Sequence, residues 1–150
     1  SNVSGAAKLY DFSDADGPSS QASLGQDTIT FQGNAVAASH DVESARLDDV
    51  ADEMNLTQIG LLKIDTEGFD LTVLQGASRL LAERRIRMIQ FEIIPADIVR
   101  HVTVKDFFDV LDGYHLHRLC ANGQLQSLEP YSVKSCEIYV PNTLVATLRS

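Results

Sequence analysis

The chain has 150 residues, of which 44% are hydrophobic and 22% charged, a composition typical of one globular domain and not of a disordered or fibrous chain. Its net charge of −9 argues against a nucleic-acid partner, and no apolar run is long enough to cross a bilayer. Two cysteines are too few for a disulfide scaffold and the first residues carry no export signal, so we expect a cytoplasmic protein.

Residues 1–46 differ from the rest of the chain and predict a hairpin or insert region. Alternating apolar and polar residues predict a strand over 7–12, a second over 28–32 and a weaker third over 41–46. A cluster of turn-forming residues, 13–20, follows the first of these strands. We expect this turn cluster to contribute little to the core.

Residues 47–150 predict an α/β core, because helical and strand periodicities alternate along them. Two strands are apolar enough to be covered on both faces, and the last strands have short links that predict at least one antiparallel pairing at that edge of the sheet. The predicted helices are 47–54, 69–81 and 104–111, the last capped by Thr103, and the predicted strands are 59–64, 88–94, 114–119, 124–128 and 135–140.

The most informative stretch is Lys-Ile-Asp-Thr-Glu-Gly at residues 63–68. It places Asp65 and Glu67 just beyond the carboxyl end of a buried strand, where open α/β sheets bind ligands. Glu92 lies near the end of the next strand, and neighbouring strands are about 5 Å apart, so Asp65 and Glu92 are expected to face one crevice on adjacent parallel strands. These carboxylates suit proton transfer, Mg²⁺ or Ca²⁺ binding, or hydrogen bonds to a ribose or an ammonium group. Equally, Asp65 and Glu67 could cap the following helix, with Gly68 allowing the turn.

Two other groups of residues are weaker candidates. Asp14 and Asp16 have the spacing of a metal-binding Asp-x-Asp pair, but they precede Gly-Pro-Ser, which favours a solvated turn. His115 and His117 lie on one face of a predicted strand and could offer imidazoles to a metal. Since no acid or cysteine accompanies them at a fixed spacing, a surface or packing role is favoured.

The block from Lys63 to Asp70, followed by Val-Leu-Gln-Gly-Ala at 73–77, resembles the signature of FkbM-type methyltransferases. These are S-adenosylmethionine-dependent O-methyltransferases of the class I, doubly wound fold. Weaker similarities to the family extend the resemblance over nearly the whole chain. They are Arg-Leu-Asp-Asp at 46–49, Ile-Gln-Phe-Glu at 89–92, Gly-Tyr at 113–114, and Ile-Tyr-Val-Pro at 138–141, which resembles the family's closing strand.

The resemblance implies methyl transfer from S-adenosylmethionine to a hydroxyl group of a sugar, a polyketide or a similar small molecule. It implies Asp65, Glu67 and Glu92 as catalytic residues, and Asp65 and Lys63 as cofactor-binding residues. A divalent metal is compatible with these carboxylates, although no residue requires one. The implied fold is the C-terminal part of a class I (Rossmann-like) sheet, mixed parallel with an antiparallel edge.

One feature of the family is missing from the sequence. No two of its glycines are closer than eight residues, so no Gly-rich cofactor loop is present, and the acidic end of the family's second strand is absent too. We therefore expect 1–150 to be a single domain truncated at its N-terminal side, which alone binds S-adenosylmethionine weakly or not at all. Its open sheet edge could be covered by a second copy of the chain or by the N-terminal hairpin segments. The alternative function is a non-catalytic binding or oligomerisation module derived from the same fold.

Overall fold

The computed structural model describes residues 1–11, 22–31, 33 and 38–149, which form helices and two separate sheets. The smaller sheet is an antiparallel pair of strands, β1 (Gly5–Asp11) and β2 (Ala38–Ser44). The predictions of strands over 7–12 and 41–46 are therefore confirmed, with β2 beginning three residues earlier than predicted. The Asp14 and Asp16 candidates lie outside the described residues.

The larger sheet has five strands in the order β3-β4-β7-β5-β6. They are β3 (Ile59–Lys63), β4 (Ile86–Ile93), β5 (Tyr114–Leu119), β6 (Leu125–Ser127) and β7 (Asn142–Leu148). β3 and β4 are parallel, whereas β7 is antiparallel to both β4 and β5, and β6 is antiparallel to β5. The predicted α/β class and mixed sheet are confirmed, and the antiparallel pairing extends from the edge into the middle of the sheet.

Short helices connect these strands. They are α1 (Gln26–Phe31), α2 (Leu47–Glu53), α3 (Asp70–Gln75), α4 (Ser78–Ala82), α5 (Ala96–Val99), α6 (Val104–Val110) and α7 (Val133–Cys136). Thr103 caps α6 as predicted, in a reciprocal capping box with Asp106. Within the described ranges, no helix has the length and apolar character that crossing a membrane requires.

The helix predicted over 69–81 is in fact two helices, because the chain breaks at Gly76 and Ala77. Asp48 explains the break. Its buried carboxylate accepts hydrogen bonds from the backbone N–H groups of Arg79, at 3.0 Å, and Leu80, at 3.1 Å. These are first-turn donors of α4, so a residue 30 positions away in the sequence caps this helix.

The strand predicted over 28–32 is wrong, since α1 occupies these residues. Thr28 and Ile29 are consecutive and both buried. Two consecutive side chains can share one face of a helix, whereas a strand would direct them to opposite faces. Burial against α5 therefore overrides the strand preference of these β-branched residues.

The strand predicted over 135–140 is also wrong, as is the resemblance of 138–141 to a closing strand; β7 closes the sheet instead. Ser132 caps α7 by accepting a hydrogen bond from the Ser135 N–H, and Cys136 is fully buried. The Glu137 carboxylate then accepts hydrogen bonds from the hydroxyl groups of Tyr131 and Tyr139. These contacts hold the segment in place without strand pairing.

The core lies between one face of the larger sheet and helices α3, α4 and α6. Phe91 of β4 stacks on Phe107 of α6, with ring centroids 4.6 Å apart. The expectation that β3 is covered on both faces is wrong for the described residues, because none of the five residues of β3 is buried. Leu61 is 55% exposed, and its neighbour in register on β4, Met88, is 40% exposed. The apolar run of β3 therefore includes an uncovered apolar surface.

Candidate functional site

The loop that follows β3 makes a sharp turn at Glu67 and Gly68. β3 pairing continues one residue past Lys63, since the N–H of Ile64 donates to the carbonyl of Gln90 at 2.8 Å. Glu67 and Gly68 then have φ angles of +51° and +92°. The left-handed region favours glycine, so Gly68 allows the turn as predicted, while Glu67 adopts a conformation that costs a non-glycine residue about 1 kcal/mol.

The carboxylate that fixes this loop is Asp70, which the sequence analysis did not single out. It accepts hydrogen bonds from Thr66 N at 3.1 Å, from Thr66 Oγ1 at 2.5 Å, and from the backbone N–H of Glu92 at 2.8 Å. Burial raises the pKa of Asp70, although these hydrogen bonds favour its charged form. Asp70 thus joins the β3–α3 loop to the end of β4.

The residue at the N-cap position of α3 is Phe69, so neither Asp65 nor Glu67 occupies the capping position of this six-residue helix. Asp65 lies five positions before the first residue of the helix. The capping interpretation is therefore wrong for Asp65.

Lys63 is the group that neutralises Asp65. Its Nζ lies 2.8 Å from Asp65 Oδ2, and the two side chains are 54% and 49% exposed. The pKa of Lys63 is raised, first by this hydrogen bond and the charge of Asp65, and further by the charges of Glu92 and Asp70. Lys63 is therefore the cation among the carboxylates of Asp65, Asp70 and Glu92.

Asp65 and Glu92 lie at the same end of adjacent parallel strands, as predicted. Lys63 pairs with Gln90 in register, so the residues two positions further along each strand, Asp65 and Glu92, are at the same level. Glu92 is half-buried, and its backbone is tied to Asp70. The structure therefore brings three of the predicted site residues, Lys63, Asp65 and Glu92, to the same end of the β3–β4 pair.

Residues 22–31 cover the turn that carries Glu67, which sequence reasoning missed. Ser23 forms a bridge to β1 through two backbone hydrogen bonds with Tyr10, at 2.8 and 2.9 Å. Its hydroxyl group donates to the backbone carbonyl of Glu67 at 3.1 Å. This contact joins segments 44 positions apart, and no local spacing reports it.

Asp97, in the first turn of α5, is a second buried carboxyl group near the turn. It is only 2% exposed and accepts a hydrogen bond from the backbone N–H of Ile94 at 2.8 Å. Burial raises the pKa of Asp97 to about 6, and the charge of Asp70 adds to the shift. Its position after Pro95, at the start of a helix, is the only sequence signal that could have drawn attention to it.

Among the described residues, His115 and His117 do not assemble a metal site. His115 forms an ion pair with Glu129, with 2.7 Å between Nδ1 and Oε2, and the Glu129 carboxylate also contacts Arg149. These contacts, the His115 hydrogen bond first, lower the pKa of Glu129. Over the ranges that the structure describes, no three His, Cys, Asp or Glu side chains are grouped so that they could hold a metal ion.

Together these features define an α/β domain with carboxylates and a lysine grouped at the carboxyl ends of two parallel strands. A family model, the methyltransferase FkbM domain, matches residues 2–114, a range that includes β3, β4 and the loop between them. The chain therefore belongs to the FkbM methyltransferase family. Searches of curated proteins and of solved structures find no match.

Proposed function

We propose that the protein is an S-adenosylmethionine-dependent O-methyltransferase that modifies a hydroxyl group of a sugar, a polyketide or a similar small molecule. Family membership supports methyl transfer. The observation that carries the proposal is the grouping of Lys63, Asp65 and Glu92 at one strand end, because a hydroxyl acceptor needs a positioned group that takes its proton. The parallel β3–β4 pair with helices between its strands supports a class I (Rossmann-like) sheet.

The residues of the crevice fit S-adenosylmethionine. The cofactor carries a cationic sulfonium, an ammonium and a carboxylate group, and ribose hydroxyls. Half-exposed carboxylates such as Asp65 accept hydrogen bonds from hydroxyl and ammonium groups, and Lys63 suits a carboxylate. We assign cofactor contacts to these two residues. When bound, the cofactor supplies an electrophilic methyl group.

In this proposal the chain's own residues orient the acceptor and take its proton. Lys63 occupies one Asp65 oxygen, which leaves other lone pairs of the half-exposed carboxylate to accept the hydrogen bond of the acceptor hydroxyl. Asp65 accepts the proton of the acceptor hydroxyl as the methyl group is transferred. Glu92 lines the same crevice, and Glu67 orients the acceptor from the turn.

The proposal also concerns partners and location. A net charge of −9 supports a small-molecule acceptor over a nucleic acid. Both cysteines, Cys120 and Cys136, are free, which supports a reducing compartment such as the cytoplasm.

The test is transfer of labelled methyl groups by the complete native polypeptide. It is incubated with methyl-tritiated S-adenosylmethionine and a panel of methyl glycosides and polyols. We expect label in a product that survives alkaline hydrolysis, because an ether withstands base and a methyl ester does not. The Arg87→Met variant, altered at an exposed position of β4, serves as the active control. Label found only in base-labile products, or none at all, would contradict the proposal.

The uncovered side of β3 favours the second candidate, a binding or oligomerisation module. Among the strands that the structure describes, only β4 pairs with β3, and Leu61 projects from β3 with 55% exposure. Such an edge can pair with a second copy of the chain. Sedimentation of wild-type and Leu61→Lys protein separates the two functions. A dimer that Leu61→Lys dissociates, in a protein without methyl transfer, would favour the module.

A further inference from the structure

Arg100 lies at the centre of the contacts that cover the Glu67–Gly68 turn. Its guanidinium carbon is 3.5 Å from the centroid of the Phe69 ring, in a cation–π contact with the residue that follows the turn. Its Nη1 also lies 4.0 Å from the Asp27 carboxylate of α1. The Arg100 side chain is 20% exposed, so this one residue of the α5 end joins α1 to the turn from a largely buried position.

Gly25 shows how closely residues 22–31 approach this cluster. A Cβ atom at Gly25 would lie 2.5 Å from Asp27 Oδ1, and 3.1 Å from both Arg100 Nη1 and Phe69 Cε2. The space is therefore too small for any side chain without displacement of the arginine, the ring or the carboxylate. The absence of a side chain at position 25 is what allows the backbone to pack on the Arg100–Phe69 pair.

The cluster includes buried polar atoms of Thr28 and Arg100. Thr28 is 1% exposed, and a Cβ at Gly68 would lie 3.7 Å from its Oγ1 and 3.5 Å from Arg100 Cδ. Within the part of the chain that the structure describes, Thr28 Oγ1 and Arg100 Nε are buried without a hydrogen-bond partner. Buried polar atoms left unpaired are costly and rare in native proteins, and they are often found where function constrains the side chains.

We propose that Arg100 is a positioning residue that clamps residues 22–31 onto the Glu67–Gly68 turn, so that this segment forms one wall of the acceptor site. The clamp fixes the turn in its left-handed conformation and with it the direction of the Glu67 side chain. Arg100 acts through Phe69 and Asp27 and does not itself contact the reacting atoms. This inference rests on the proposed function only in naming the wall as part of the acceptor site.

Hydrogen–deuterium exchange of the complete native polypeptide tests the clamp without any ligand. Arg100→Met keeps the aliphatic stem and removes the charged plane, and Arg100→Lys keeps the charge. We expect exchange to rise about tenfold in residues 22–31 and 66–69 of Arg100→Met, with partial rescue in Arg100→Lys and no change in α6. Arg87→Met, an exposed arginine exchanged for the same residue, should match the wild type throughout. Unchanged exchange in either segment would overturn the clamp.

Steady-state kinetics test whether residues 22–31 form one wall of the acceptor site. With a glycoside acceptor found as described, Arg100→Met should raise the KM for the acceptor at least about fivefold, leave the KM for S-adenosylmethionine unchanged, and lower kcat less than threefold. Arg100→Lys should recover part of the loss. A lower melting temperature with an unchanged acceptor KM would leave Arg100 merely structural and refute the wall. A wild-type protein that methylates no acceptor refutes the proposed function and the wall together, whereas the exchange result still decides whether the clamp exists.

Discussion

Replacing Asp70 by asparagine tests whether this buried carboxylate holds the β3–α3 loop to β4. Its oxygens accept hydrogen bonds from the backbone N–H groups of Thr66, at 3.1 Å, and Glu92, at 2.8 Å. Asparagine keeps the shape but has one acceptor oxygen, so its NH₂ group must face one of these donors. Losing a hydrogen bond to a charged group costs about 1.5–3 kcal/mol of stability. Burying a neutral asparagine costs less desolvation free energy than burying a charged carboxylate, which offsets part of that loss. We therefore expect the free energy of unfolding of Asp70→Asn to be about 2 kcal/mol lower than that of the wild type.

A loss of this size lowers the melting temperature of a 150-residue domain by about 6 °C, which scanning calorimetry resolves. Asp52→Asn is the matched control, because Asp52 is exposed and its ion pair with Arg79 lies at the surface; it should melt within about 1 °C of the wild type. If Asp70→Asn also melts within about 1 °C of the wild type, the hydrogen bonds that Asp70 accepts from Thr66 and Glu92 do not hold the β3–α3 loop to β4.

Three further substitutions have calculable consequences. Burial raises the pKa of Asp97 to about 6, so the stability that the protonated Asp97 contributes is present in full below about pH 4 and is lost as the pH rises through about 6. The free energy of unfolding in urea should therefore fall between pH 4 and pH 8, and Asp97→Asn should reduce that fall by about 2–3 kcal/mol. An unchanged fall in Asp97→Asn would contradict the raised pKa. Asp48→Ala removes the cap of α4 and should cost about 1–2 kcal/mol in the same assay, whereas a neutral result would mean that α4 needs no cap. Gly68→Ala places a side chain at φ +92° and should cost about 1–2 kcal/mol, against little change for Gly60→Ala in open space; equal effects would argue against strain at the turn.

Elements with strong local signals could be predicted from the sequence. The apolar runs of β3 and β4, the capping box at Thr103 and the pattern of β5 all gave the correct element, because neighbouring residues determine each of them. Residues 28–32 and 135–140 gave the wrong element because the contacts that decide them are long-range: α1 packs on α5, and the Glu137 carboxylate accepts hydrogen bonds from the backbone N–H groups of Val104 and Lys105. β7 was missed; its central residues Leu144, Val145 and Ala146 are all buried, so its burial does not alternate.

The residues of the candidate site also fall into those that could be predicted from the sequence and those that could not. Asp65 and Glu92 could be placed together, since carboxyl ends of neighbouring parallel strands meet at one edge of a sheet. The residues that hold the site in position, Asp70 and Arg100, could not be predicted from the sequence. Asp70 acts through a backbone N–H 22 positions away, and Arg100 through a ring and a carboxylate that only the tertiary fold brings near. Sequence spacing therefore located the residues proposed for the chemistry, and the structure supplied those that hold them in position.

The most direct test of the account is the turnover of Asp65→Asn measured beside Glu67→Gln, with a thermal melt of each variant. Asp65→Asn keeps the shape of the side chain and removes the charge that takes the acceptor's proton, so kcat should fall by about 10²–10⁴-fold. Because Asp65 is half-exposed, its melting temperature should stay within about 2 °C of the wild type. Glu67→Gln, which alters orientation alone, should lower kcat less than about tenfold. An Asp65→Asn protein that turns over normally while melting early would make Asp65 structural and contradict the assignment.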